Sequence, residues 1–165
     1  MLQAMLVDRF KLVVHRDSKE APIYEMTVAG NGPKFKPSKA ATLAEVQQTH
    51  PNAGNAVALG GAIVSPGAQP GEQMIFGVTM PAFSTLLSTL VGRPIRDKTG
   101  LTGRYDIIYQ MDLSSQDSAG PATSPNDLSA QILSILRDQL GLQLKPAKGS
   151  VETLVIDHIE QPSEN

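Results

Sequence analysis

Apolar residues recur along the chain with two different periods, and the places where the period changes mark out its elements. Phe83, Leu86, Leu87 and Leu90 fall on one face of a helix, as do Leu128, Ile132, Ile135, Leu136 and Leu140. Pro81 suits a first helical turn, where its missing N–H costs nothing. Asn126 or Asp127 is the expected N-cap of the later helix, and Gly141 stands where a left-handed C′ residue is wanted. Leu2, Met5, Leu6 and Phe10 give another helical face with no capping residue before it. That opening reads as part of a longer protein whose start, including any export signal, lies upstream.

Strands follow with the period of two. Tyr24, Met26 and Val28 alternate with Glu25 and Thr27, while Tyr105, Ile107, Tyr109 and Met111 share one face of their segment. In VETLVIDHI, Val151, Thr153, Val155, Asp157 and Ile159 face one way and Leu154 and Ile156 the other. Apolar residues on both faces predict a strand that is central or covered on both sides. QMIFGVTM supplies one more strand ahead of the helix at Phe83. Three blocks then read alike as helix, short strand, polar turn and longer strand, with the turns at HRDSKEAPIYE, DKTGLTGRYD and KPAKGSVETLV. This grammar predicts an α+β fold, short amphipathic helices packed on antiparallel β-hairpins, with repeated units as a candidate origin.

Two stretches interrupt it. Residues 30–71 are rich in Gly, Pro, Ala and Asn, and residues 114–125 read SSQDSAGPATSP. Both are expected as surface loops or partly disordered inserts within a single domain spanning 1–165. The exception is TLAEVQQ, where Thr42 followed by Glu45 spells a capping box.

A chain of 165 residues with 41% hydrophobic content has enough apolar surface for a real core. A net charge of −2, with three tyrosines and four phenylalanines, provides neither the field nor the stacking platform for nucleic acid. No apolar run nears the roughly 20 residues needed to span a bilayer. With no cysteine there is no disulfide, thiolate metal site or thiol nucleophile. Neither side of a membrane is favoured by that absence.

The segment that most resembles chemistry is Asp97-Lys98-Thr99-Gly100, because P-type pumps phosphorylate the Asp of a DKTG sequence. Here Leu101 follows where the pumps have a further Thr, and the acidic Mg²⁺-holding motif of that class is missing. A turn accounts for the letters more economically. Asp97 and Thr99 would bond nearby backbone N–H groups, Gly100 and Gly103 would supply positive φ, and RYDIIYQMD would return as the partner strand. GLTGRYD also fails as a phosphate loop, since it leads into a strand rather than a helix.

His15, His50 and His158 are the only histidines, and none has a second ligand at helical spacing. Asp157 and His158 point to opposite faces of a strand and form no dyad with each other. No GxSxG elbow marks a serine as nucleophile. Lys34, Lys36 and Lys39 read as a solvated run, with contact to an anionic partner as the alternative. No catalytic residue, cofactor site or metal site is read from the sequence.

MLQAMLVDRFKLVVHRDSKEAPIYEMTVAGNGPKFKPS, GRPIRDKTGLTGRYDI and LRDQLGLQLKPAKGSVETLVIDHIEQPSEN together resemble a family of soil-bacterial proteins known as a domain of unknown function. The resemblance implies an upstream export signal or membrane segment, fusion in some members to membrane metallopeptidases of the beta-lactam-sensor type, and a place outside the cytoplasm. It supplies no catalytic residues. In grammar the blocks are also similar to the small β-α-β modules of secretins and TonB-dependent receptors, a likeness of fold alone.

Two readings follow. The first is a non-catalytic extracytoplasmic binding or interaction module, sensory in one version, that meets a protein or peptide partner through sheet edges. The alternative is a hydrolase or transferase with a site assembled from Asp97, Asp106, His15 and His158. It requires at least two of them within hydrogen-bond reach in a cleft.

Overall fold

In the computed structural model the described residues are 7, 9–39, 42–50, 53–59, 61–112 and 125–161. Two compact units divide the chain: residues 1–22 with 148–165, and residues 23–147. The elements in order are β1 (Val13–Val28), β2 (Lys36–Pro37), α1 (Leu43–Thr49), β3 (Val57–Leu59), β4 (Ala62–Pro66), β5 (Glu72–Thr79), α2 (Met80–Val91), β6 (Ile95–Asp97), β7 (Arg104–Gln110), α3 (Pro125–Ser134) and β8 (Leu142–His158). Between α3 and β8, Ile135–Gln139 form a wider π-helical turn in which Leu140 N–H bonds back to the Ile135 carbonyl. The fold is α+β, as the alternation of the two periods predicts.

The larger unit owes its core to the predicted faces. Phe83 and Leu87 of α2 meet Ile132, Ile135, Leu136 and Leu140 over Ile75 of β5 and Ile107 of β7. Tyr105, Tyr109 and Met111 lie against the same core, as their spacing requires. Thr79 caps α2, Pro81 sits in its first turn, and Gly92 ends it at φ 68°. Gly141 takes the expected positive φ of 67°. A Cβ there would run into the Gly32 carbonyl oxygen, so only glycine fits. The later helix begins at Pro125, which places Asn126 and Asp127 inside it rather than at its cap.

The hairpins are not where the polar letters put them. A five-stranded antiparallel sheet has the order β2-β7-β5-β4-β3, and a three-stranded sheet the order β6-β1-β8. β6 pairs in parallel with β1, Tyr24 opposite Ile95, whereas β7 pairs with β5 and β2. DKTG therefore links two sheets and does not join partner strands. HRDSKE and KPAKGS are not turns either, because each lies within one uninterrupted strand. Strand pairing satisfies the backbone groups that each polar run turns toward the other, and this outweighs their turn-like composition.

Residues 30–71 also hold more structure than their composition suggests. Thr42 N–H donates to Glu45 Oε2 at 2.9 Å and Glu45 N–H to Thr42 Oγ1 at 3.3 Å, completing the capping box of α1. Val46, Ala53, Ala56 and Ile63 then close over Met74 and Phe76 as a second small core. Met74 and Phe76, from the strand that follows the segment, supply the cover its own small apolar residues lack. The polar run at 114–124 lies outside the described residues, as do Leu2, Met5 and Leu6; Phe10 has helical backbone.

Two measurements probe this core. Leu136 is 1% exposed, and Leu136→Ala should cost about 2–5 kcal/mol in urea unfolding. Burial pushes the Tyr109 phenol up. A folded value above the unfolded one means stability that is complete below about pH 10 and falls as pH rises through the folded value. Tyr109→Phe should remove that part of the alkaline loss, as read from denaturation at neutral and alkaline pH.

Candidate binding surfaces

Each residue proposed for a scattered active site has local work. Asp97 Oδ1 accepts from Thr99 N–H at 2.9 Å and from Thr99 Oγ1 at 2.7 Å, and Thr99 Oγ1 accepts from Leu101 N–H at 3.2 Å. Gly100 takes φ 71°, whereas Gly103 keeps a negative value. The turn bonds expected of DKTG are present although its hairpin is not.

Asp106 holds a bulge. Pairing between β5 and β7 slips between Ile75 and Val78, and Gly77 in the slip takes φ 59°. Gly77 N–H donates to Asp106 Oδ1 at 3.0 Å, and the Arg104 guanidinium donates to the Gly77 carbonyl at 2.8 Å. Arg104 and Asp106 stand two residues apart on one face of β7, which lets both reach the displaced peptide.

The two histidines belong to the smaller unit. His15 Nδ1 lies 2.8 Å from Asp157 Oδ2, and His158 Nε2 2.9 Å from Glu160 Oε1. Among the described residues no hydrogen bond or ion pair joins two members of the Asp97, Asp106, His15 and His158 set. The His15–Asp157 pair was not legible in the sequence, because strand register between distant segments leaves no local signal. Both side chains are largely exposed, where such a pair holds little energy. Among the described residues no three His, Cys, Asp or Glu side chains gather to hold a metal ion. No described helix is long and apolar enough to cross a membrane.

The same unit presents a two-stranded ribbon of β1 and β8. Arg16 bonds Glu152, the Ser18 and Ser150 hydroxyls bond each other, and Glu160 N–H donates to the Phe10 carbonyl. These contacts match rising with falling residue numbers, the antiparallel sense. β8 ends the order β6-β1-β8 and is an edge strand, contrary to the central place predicted for it. Its Leu154 and Ile156 are 65% and 58% exposed, and Val13, Val14 and Ile159 are exposed as well.

Two of the concavities in the larger unit differ in character. One is an apolar gap of about 160 Å³ lined by α2, α3 and the β5–β7 face. The other is a cleft of about 560 Å³ between Lys34–Lys39, the end of α1 and β7. Ile108 gives it apolar surface, Phe76 lies buried behind its wall, and Lys34, Lys36, Lys39, Glu45, Asp106 and His50 line the rest. The His50 ring packs on Phe76 with centroids 4.4 Å apart. Thr49 Oγ1 gives its proton to the Glu45 carbonyl at 2.7 Å, so the 2.9 Å bond to His50 Nδ1 is donated by the histidine.

Residues 1–159 match a family model described as protein of unknown function (DUF3738), and the chain belongs to that family. No curated protein and no solved structure matches the chain.

Substitution separates the two aspartates. Asp97→Ala should lower stability by about 0.5–1.5 kcal/mol, the order of a lost bond in a turn that can open to water. Asp106→Ala should cost more, about 1–3 kcal/mol, because it leaves the displaced Gly77 N–H within the sheet without an acceptor. Urea titration of both variants checks the order.

Proposed function

We propose that this member of the family is a non-catalytic binding module that takes an extended segment of a partner protein as an added strand along β8, and that it works outside the cytoplasm. The observation that carries the reading is an edge strand with apolar residues on both of its faces. Edge strands are ordinarily defended by lysine, proline or bulges. The first half of β8 has Lys145, Pro146 and Lys148, but from Ser150 to His158 there is no lysine or proline.

A two-stranded ribbon is marginal in water, and a third strand would pair the outer N–H and C=O groups of β8. An incoming segment with alternating apolar residues would lay them beside Leu154 and Ile156 while its main chain pairs with β8. The residues of the hydrolase or transferase alternative are engaged instead in a turn, a bulge and two surface pairs. The extracytoplasmic site of action rests on the likeness of three long segments to the soil-bacterial family. Fractionation of cells producing the native protein checks it.

Panning random ten-residue segments against the chain tests the binding mode. Selected segments should alternate apolar and polar residues, and Leu154→Lys with Ile156→Lys should weaken their binding about tenfold or more. Both side chains are mostly in solvent, so the melting temperature should hold. Binders without alternation, or insensitive to the two lysines, would remove the basis of this reading.

A further inference from the structure

The cleft beside β2 is a different place from the ribbon and has a different character. Its volume of about 560 Å³ is that of a small-molecule site. Three lysines line it against two carboxylates, and both carboxylates are already in use. Glu45 accepts the Thr42 N–H in the capping box, and Asp106 accepts the bulge N–H of Gly77.

The lysines differ in the same respect. Lys34 donates to the Asp138 carbonyl oxygen at 2.8 Å. Among the described residues, Lys36 and Lys39 have neither an ion-pair partner nor a side-chain hydrogen bond. Lys36 stands directly across from Asp106 in the β2–β7 register, which roots its side chain at the wall of the cleft. Of the apolar lining, Ile108 is open at 53% exposed, whereas Phe76 is buried beneath the His50 ring.

Two uncommitted ammonium groups beside apolar and aromatic surface are the recognition elements of an amphiphilic anion. We infer that this cleft binds a small organic anion, its carboxylate, sulfonate or phosphate held by Lys36 and Lys39 and its apolar body laid against Ile108 and the His50 ring. Ammonium groups hydrogen-bond such oxygens with the strength of charge-assisted bonds. The apolar body supplies the rest by leaving water. The fixed parts of the cleft are pre-ordered, since the β-bulge positions Asp106 and the capping box positions α1.

Fluorescence titration of the whole chain with anilinonaphthalene sulfonate, and with its uncharged counterpart N-phenylnaphthylamine, tests the assignment. The sulfonate should bind saturably at one site and at least about tenfold more tightly than the neutral probe. Lys36→Glu with Lys39→Glu should reduce sulfonate affinity about tenfold or more and leave the neutral probe unaffected. Both lysines are exposed, and a melting curve checks that the variant folds. Leu154→Lys with Ile156→Lys should change neither probe, which keeps this site separate from the ribbon. No saturable sulfonate binding, equal affinity for the two probes, or indifference to the lysine changes would each overturn the inference. Equal affinity would point instead to the apolar gap under α2 and α3.

Discussion

A segment as polar as His15–Glu20 has no hydrophobic reason to leave water, so its extended order depends on a neighbour that takes its backbone N–H and C=O groups. β8 is that neighbour, and β1 does the same for KPAKGS. Arg16–Glu152, His15–Asp157 and the Ser18–Ser150 hydroxyl pair are side-chain marks of this mutual pairing. They hold little energy in water, and the work falls on the main chain. The pairing settles what each polar run becomes: a strand rather than a turn. It also leaves one side of β8 unpaired and Leu154 and Ile156 in solvent, which is the ground of the proposed strand addition.

In the larger unit the equivalent constraint is burial. Two helices with three-to-four spacing close over β5 and β7, and the sheet they cover is bent where Gly77 slips out of register. Asp106 and Arg104 satisfy the displaced peptide from the same face of β7. An aspartate that could be suspected of catalysis is thus explained by the backbone it holds. The cleft owes its walls to that bulge and to the capping box of α1, two local devices that close around Phe76.

Much of this was legible in the letters. Helical faces, the α+β class, Pro81, Gly141, the Thr42–Glu45 box and the Asp97 turn bonds all depend on neighbours within a few residues, and local patterns encode them directly. The misreadings share a cause. Whether RDSKE turns back or runs on, whether β7 returns to β6 or joins another sheet, and whether His15 meets Asp157 are decided by partners far away in sequence. Composition misled in residues 30–71 for a related reason. Gly and Pro spoke for loops, but Val46, Ala53 and Ile63 found apolar cover from Phe76, which only the fold provides.

The central claim is that β8 pairs on one side and is open on the other along Ser150–His158. Residue-resolved amide hydrogen exchange of the free chain measures this directly. An edge strand directs successive N–H groups alternately toward its neighbour and toward solvent. The account predicts slow and fast exchange alternating residue by residue through that segment. Uniform protection would mean that a further strand or another copy already covers the edge, and uniformly fast exchange would mean that the β1–β8 ribbon does not form; either result would contradict it.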